Sequence, residues 1–190
     1  MGLFPGELML VTGGLIQTAF PQIMKQITIL LLLIFVACGK KLPPLVEPFG
    51  TIEELTTHHL RCIEANDAKC INSRLLSYSE FHKSVYQQLP EAKDGTIAES
   101  DYWGWTLPDR QKAVRKLLMN YGGQKLAKVT VGEPVKILRL SGLRILRDIP
   151  VTAEWLDEKT GKKNVLVTRE LLKAVVEMNG KYKLWNMNYE

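Results

Sequence analysis

Residues whose types could do chemistry cluster first at Asp101-Tyr102-Trp103-Gly104-Trp105. A carboxyl raised in pKa by apolar neighbours acts as a general base, and a tyrosine hydroxyl beside it as an electrophile. Trp103 and Trp105, two positions apart, present two indoles to a peptide, a glycan or a small apolar ligand, or else pack in the core or anchor a loop. His58 and His59 are adjacent; on a helix their side chains point about 100° apart, so only one faces a core. Neither has an evident carboxylate or serine partner, and a surface pair is expected, as it is for His82. Lys136, Arg139, Arg144 and Arg147 concentrate positive charge on neighbouring segments, either as a solvated strand face or as a contact for anionic lipid heads, peptidoglycan carboxylates or an acidic partner. There is no Gly-rich phosphate loop, Gly-x-Ser-x-Gly elbow, His-Glu-x-x-His or paired Cys-x-x-Cys, so the sequence implies no cofactor and no metal.

What surrounds these residues says more about location than about reaction. The chain has 190 residues and a formal charge of +5. Residues 1–37 hold one basic and one acidic side chain, Lys25 and Glu7, so the whole excess lies beyond them. From Met24 the order is Met24-Lys25, an apolar run Ile27–Ala37, then Cys38. Such a run matches a signal-peptide core of roughly 7–15 residues and falls short of the roughly 20 needed to span a bilayer. Phe35-Val36-Ala37-Cys38 resembles the lipobox of bacterial lipoproteins, with Phe35 where Leu is usual. That resemblance implies cleavage before Cys38, lipidation of Cys38 and a place in the cell envelope. Gly39, rather than Asp, after the cysteine resembles proteins sorted to the outer membrane, on its periplasmic or surface face. Residues 24–37 are then the signal peptide, and residues 38–50, with Pro43, Pro44 and Pro48, a semi-rigid tether. Translation is expected to start at Met24, with 1–23 a non-native extension. Nucleic acid is not an expected partner of an exported protein. With Cys38 assigned to lipid, Cys62 and Cys70 remain as an even pair in an oxidising compartment. A disulfide worth about 2–3 kcal/mol and two buried thiols packing as small hydrophobes both fit.

The elements that must position these groups follow from caps and periodicity. Thr51 and Glu54 form a capping-box pattern ahead of Leu55, Cys62 and Ile63 at helical intervals. Asn66-Asp67 breaks that helix and caps a second over 68–76. Ser77 and Glu80 open a third, carrying Phe81, Val85 and Leu89, which Pro90 is expected to stop. A polar loop is expected over 91–101, then a helix with Pro108 in its first turn, ending at Gly122-Gly123. Beyond Gln124 the pattern is extended: 129–138 interrupted at Gly132-Glu133-Pro134, a turn at Ser141-Gly142, a strand over 143–156, a hairpin loop at 157–161, a strand over 165–178, the Asn179-Gly180 hairpin and a last strand over 181–188.

Helices followed by a long antiparallel meander predict an α+β domain, with N-terminal helices packed on a strongly curved antiparallel sheet. The element order, the Ala65-Asn66-Asp67-Ala68 corner and the ending Asn179-Gly180-Lys181-Tyr182-Lys183-Leu184 resemble the NTF2-like cone, the domain shared by nuclear transport factor 2 and ketosteroid isomerases, over residues 51–190. That resemblance implies a pocket at the open end of the cone, with Asp101, Tyr102, Trp103 and Trp105 as its nearest candidates. The expected function is a binding or interaction module held at the membrane by its N-terminal lipid. Its partner would be an envelope protein, a glycan or a small apolar ligand, or a second copy in a homodimer; an enzyme of the isomerase or dehydratase type using the cone pocket is the alternative.

Overall fold

A computed structural model describes residues 42–189. The extension 1–23, the signal 24–37 and Cys38 lie outside the described residues. Helix α1 spans Ile52–Glu64; Thr51 Oγ1 accepts from Glu54 N at 3.1 Å, while Glu54 Oε2 reaches one residue past the cap to accept from Gly50 N at 2.8 Å. Asn66 takes a left-handed φ of 55°, and Asp67 caps α2, Ala68–Ser73, accepting from Lys69 N and Cys70 N. Cys62 and Cys70 are joined by a disulfide that straps α1 to α2, with Cα atoms 5.6 Å apart. Helix α2 stops earlier than its sequence pattern suggests because Leu76 N is drawn away to Leu184 O, at 2.8 Å.

Ser77 and Glu80 form both bonds of a capping box at α3, Tyr78–Glu80. The chain then widens into a π-helical turn, Phe81–Val85, and tightens into a 3₁₀ turn, Tyr86–Gln88. This change of pitch keeps Phe81, Val85 and Leu89 all buried. The helical run stops at Gln88 as expected, Leu89 being extended (ψ 141°) just ahead of Pro90, and Pro90 itself begins α4, Pro90–Asp94, at a position where its missing N–H costs nothing. The expected loop over 91–101 is therefore mostly helical, and α5 runs from Glu99 to Tyr121. Pro108 lies inside α5 rather than in its first turn. The ring removes the N–H that would bond the Gly104 carbonyl, but Gly104 and Pro108 are both exposed, which leaves that carbonyl open to solvent.

Five strands follow: β1 Lys125–Val131, β2 Lys136–Leu140, β3 Leu143–Leu156, β4 Lys163–Met178 and β5 Lys181–Asn186. All strand pairs are antiparallel, in the order β1-β3-β4-β5, with β2 also on β3. Strands β1 and β2 share one edge of β3, split where Gly132 N bonds Pro150 O at 2.8 Å. The hairpin residues Asn179 and Gly180 both take positive φ, 52° and 70°, as a type I′ turn requires. Asp148, at φ 55°, interrupts β3 so that Leu146 and Ile149, three apart, join the same core cluster.

The core is α+β, helices against an antiparallel sheet, in two clusters. One gathers Leu55, Leu60, Ile63 and Ile71 with Leu117 of α5 and Trp155, Leu172 and Leu184 of the sheet. The other gathers Phe81, Val85 and Leu89 with Ile145, Val176, Met178 and Trp185. Residues 42–49, assigned to the tether by sequence, pack on this unit. Leu45 is buried in the second cluster, Ser84 Oγ donates to Pro43 O at 3.1 Å, and Phe49 pairs with Tyr182 in both directions at 2.9 Å. The compact unit therefore begins at Leu42 rather than at residue 51.

Candidate functional site

One face of the first half of α5 carries Tyr102, Trp105, Thr106 and Asp109, at i, i+3, i+4 and i+7. This face looks across a cavity of about 210 Å³ at Leu138 of β2, Ile145 and Arg147 of β3, Lys173 and Ala174 of β4, and Trp185 and Asn186 of β5; Leu89 and Glu91 close one end. The volume lies under the usual range for drug-sized ligands, about 300–1,000 Å³, and so suits a small molecule or one end of a larger one. Its walls are aromatic: Tyr102 sits 6.3 Å from Trp185 and 6.1 Å from Trp105, centroid to centroid. Trp185 is 8 % exposed and forms the floor, while Trp105, 60 % exposed, stands at the mouth.

Two buried polar groups belonging to residues of this cavity have no hydrogen-bond partner in the protein, the Trp185 indole Nε1 and the Asn186 Oδ1. A donor and an acceptor left unsatisfied on consecutive residues is costly unless something else bonds them. The charges lie at the rim. Lys173 is tied to Asp148 and Glu170, each at 3.0 Å, and Arg147, Glu91 and Asp109 are exposed or half-exposed. Burial pushes the Tyr102 hydroxyl above its usual pKa, and the nearby Glu91 carboxylate pushes it further; it stays a protonated donor at neutral pH.

Of the four pocket residues expected from sequence, the structure brings Tyr102 and Trp105 together and separates the other two. Asp101 is exposed on α5 and does not line the cavity. Adjacent helical residues diverge by about 100°, so an Asp101–Tyr102 acid–base pair is not assembled. Trp103 turns to another side of α5, where its ring lies 5.4 Å from Tyr78 and from Phe81 and 4.9 Å from the Arg110 guanidinium. Asp109, Trp185 and Asn186 were missed. Asp109 shares the Tyr102 and Trp105 face, a spacing visible only if the helix is started ahead of Asp101.

The histidines divide. His59 is fully buried, against the surface pair expected, and His58 is half-buried. His58 Nε2 lies 3.5 Å from Cys62 Sγ and 4.0 Å from Cys70 Sγ, but with the sulfurs bonded to each other it is the single free ligand atom of that group. His82 is exposed and pairs with Glu99 at 2.8 Å. In the basic stripe Lys136 pairs with Arg147 and Arg139 with Arg144 across β2 and β3. All four are exposed, and Arg144 is bridged to Glu177.

Among the described residues no helix is long and apolar enough to cross a membrane. Comparison with protein-family models, with curated proteins and with solved structures gives no match to this chain.

Proposed function

We propose that this protein is a lipid-anchored ligand-binding module of the cell envelope, and that its aromatic cavity takes a small amphipathic molecule. The observation that carries the reading is the unpartnered Trp185 Nε1 and Asn186 Oδ1 among the residues of a cavity with aromatic walls and a charged rim. An apolar body would lie between Tyr102, Trp105 and Trp185; both polar groups are shielded from water in the fold, so a hydroxyl or amide end would reach them only as the side chains covering them shift. In fold terms the domain is read as an open relative of the NTF2-like cone, the cavity standing for the cone mouth. An isomerase or dehydratase would need Glu91 or Asp109 as its base opposite the Tyr102 hydroxyl. Both carboxylates sit at the half-exposed rim, where water competes for them, and this favours binding over catalysis.

Binding is tested with the neutral fluorescent probe N-phenyl-1-naphthylamine. The protein should bind it saturably, and Trp105→Ala should weaken it about tenfold, the loss of one aromatic wall being worth about 1.4 kcal/mol. Val167→Thr, on the exposed side of β4, should leave binding unchanged. Equal binding by all three proteins would remove the cavity from consideration. Anchoring, through Cys38 on the outer membrane, is tested in bacterial cells by labelling with radioactive palmitate. Cys38→Ala should abolish incorporation, and persistent labelling would refute the lipoprotein assignment.

A further inference from the structure

A second cavity, of about 480 Å³, opens on a different face of α5, and its residues include Trp103, Leu107 and Arg110 together with Glu80 and Lys183. Three charged side chains are buried here: Arg110 is 4 % exposed, Lys183 3 % and Glu80 7 %. Their bonds are unequally shared. Lys183 Nζ donates to both Glu80 oxygens, at 2.8 and 2.9 Å, and to Val46 O at 2.7 Å. Glu80 accepts in addition from Val46 N, Ser77 N and Ser77 Oγ, so its acceptor capacity is used. Arg110 is left with one bond, Nη1 to Leu76 O at 2.9 Å, and its Nε and Nη2 have no partner.

Two features make this more than a loose end. The trio carries a net positive charge in a place where water scarcely reaches, and a buried charge without a counter-charge is expensive. Nε and Nη2 also form one edge of the planar guanidinium, the edge that receives two oxygens of a carboxylate or phosphate side by side. The Trp103 ring lies against the guanidinium, 4.9 Å from Cζ to the ring centre, a stacking that leaves the in-plane donors to another group.

We propose that this cavity binds a small oxyanion, a carboxylate or a phosphate, held at two points by Nε and Nη2 of Arg110. Because both atoms are shielded from water, the side chains that cover this edge must shift to admit it. The site is independent of the aromatic cavity and stands or falls separately.

The test is a nitrogen-15 titration of the full-length chain, following the Arg110 Nε–H resonance while sodium acetate or sodium phosphate is added against sodium chloride at equal ionic strength. One or both oxyanions should move the resonance saturably, and tryptophan fluorescence should change with the same midpoint. A response to acetate alone assigns a carboxylate ligand, and a response to phosphate assigns a phosphate. At ten times the dissociation constant the thermal midpoint should rise by about 4 °C. Arg110→Lys keeps the charge and loses the two-point edge, so binding should weaken at least about tenfold. If that variant does not fold, Trp103→Phe, which keeps the guanidinium, should still show the saturable shift. No response beyond that to chloride would mean that ordered water alone holds the edge, and it would overturn the proposal, as would undiminished binding by folded Arg110→Lys.

Discussion

Replacing Lys183 with Met is expected to destabilise the protein by about 3–5 kcal/mol, the usual result of stripping one partner from a buried ion pair. Glu80 and Lys183 are both buried, and the pair ties three distant segments together: Glu80 from α3, Lys183 from β5, and Val46 from the chain ahead of α1. Without Lys183 the carboxylate keeps only the Val46 and Ser77 donors, and its charge has no near counter-charge but Arg110. Glu80→Gln should act in the same direction. The double replacement Glu80→Leu with Lys183→Met should recover much of the loss, because it removes the uncompensated charge. Denaturant unfolding of the three variants measures this, and a loss below about 1 kcal/mol for Lys183→Met would show that the pair is solvated like a surface bridge. The pair also has a pH signature. Burial pushes the Glu80 carboxyl up, but the bonds from Lys183, Ser77 and Val46 outweigh it and hold the group below its ordinary value of 4.5. A carboxyl depressed in the fold stabilises above its unfolded pKa, and that contribution is lost as pH falls through the folded value.

His59 should give a second and separate loss at higher pH. A carbonyl can only accept, so the 2.8 Å contact with Leu55 O requires Nδ1 to carry the proton. Nε2 is then a buried lone pair without a partner. Burial pulls the imidazole down to about 4, outweighing the Leu55 bond that opposes it, and the nearby His58 and Arg74 add to the fall. The unfolded chain titrates near 6.5. Stability is therefore complete above pH 6.5 and declines as the unfolded state takes up a proton that the native state refuses, by about 3 kcal/mol at pH 4. Unfolding midpoints at pH 7, 5.5 and 4.5 should trace this decline, and His59→Gln should flatten it between pH 6.5 and 4.5. If the variant declines as steeply as the parent, the titrating group lies elsewhere.

The sheet was the legible part of the fold because its punctuation is local. Gly142, Asp157–Gly161 and Asn179-Gly180 mark strand ends by chemistry that works within two or three residues, and the strands run between them. Helix α1 was legible for the same reason, through Thr51 and Glu54. The start of α5 was not. A polar stretch and a proline mimic a loop and a helix start, and Pro108 is tolerated inside the helix because Gly104 and Pro108 face water, a fact of tertiary placement. The error carried into the site, since a helix begun near Pro108 hides the register that aligns Tyr102, Trp105 and Asp109. Trp185 and Asn186 join them only through strand pairing with β4. Burial of Arg110, Lys183 and His59 runs against the ordinary preference of such residues for the surface. Nor does composition reveal that the proline-rich segment before residue 51 docks, because the docking rests on Leu45 and on backbone bonds to Ser84, Glu80, Lys183 and Tyr182.

The central claim is that the aromatic cavity is where a ligand sits, and the most direct measurement is where a bound probe touches the protein. With methyl-labelled Ile, Ala and Val and bound N-phenyl-1-naphthylamine, intermolecular nuclear Overhauser effects should connect the probe to the Ile145 and Ala174 methyls and to the Trp185 ring, and the Trp185 Nε1–H should shift when an analogue carrying a hydroxyl is used. Contacts to the exposed Val165 and Val167 with none to Ile145 or Ala174 would contradict the account and move the binding surface to the outside of the sheet.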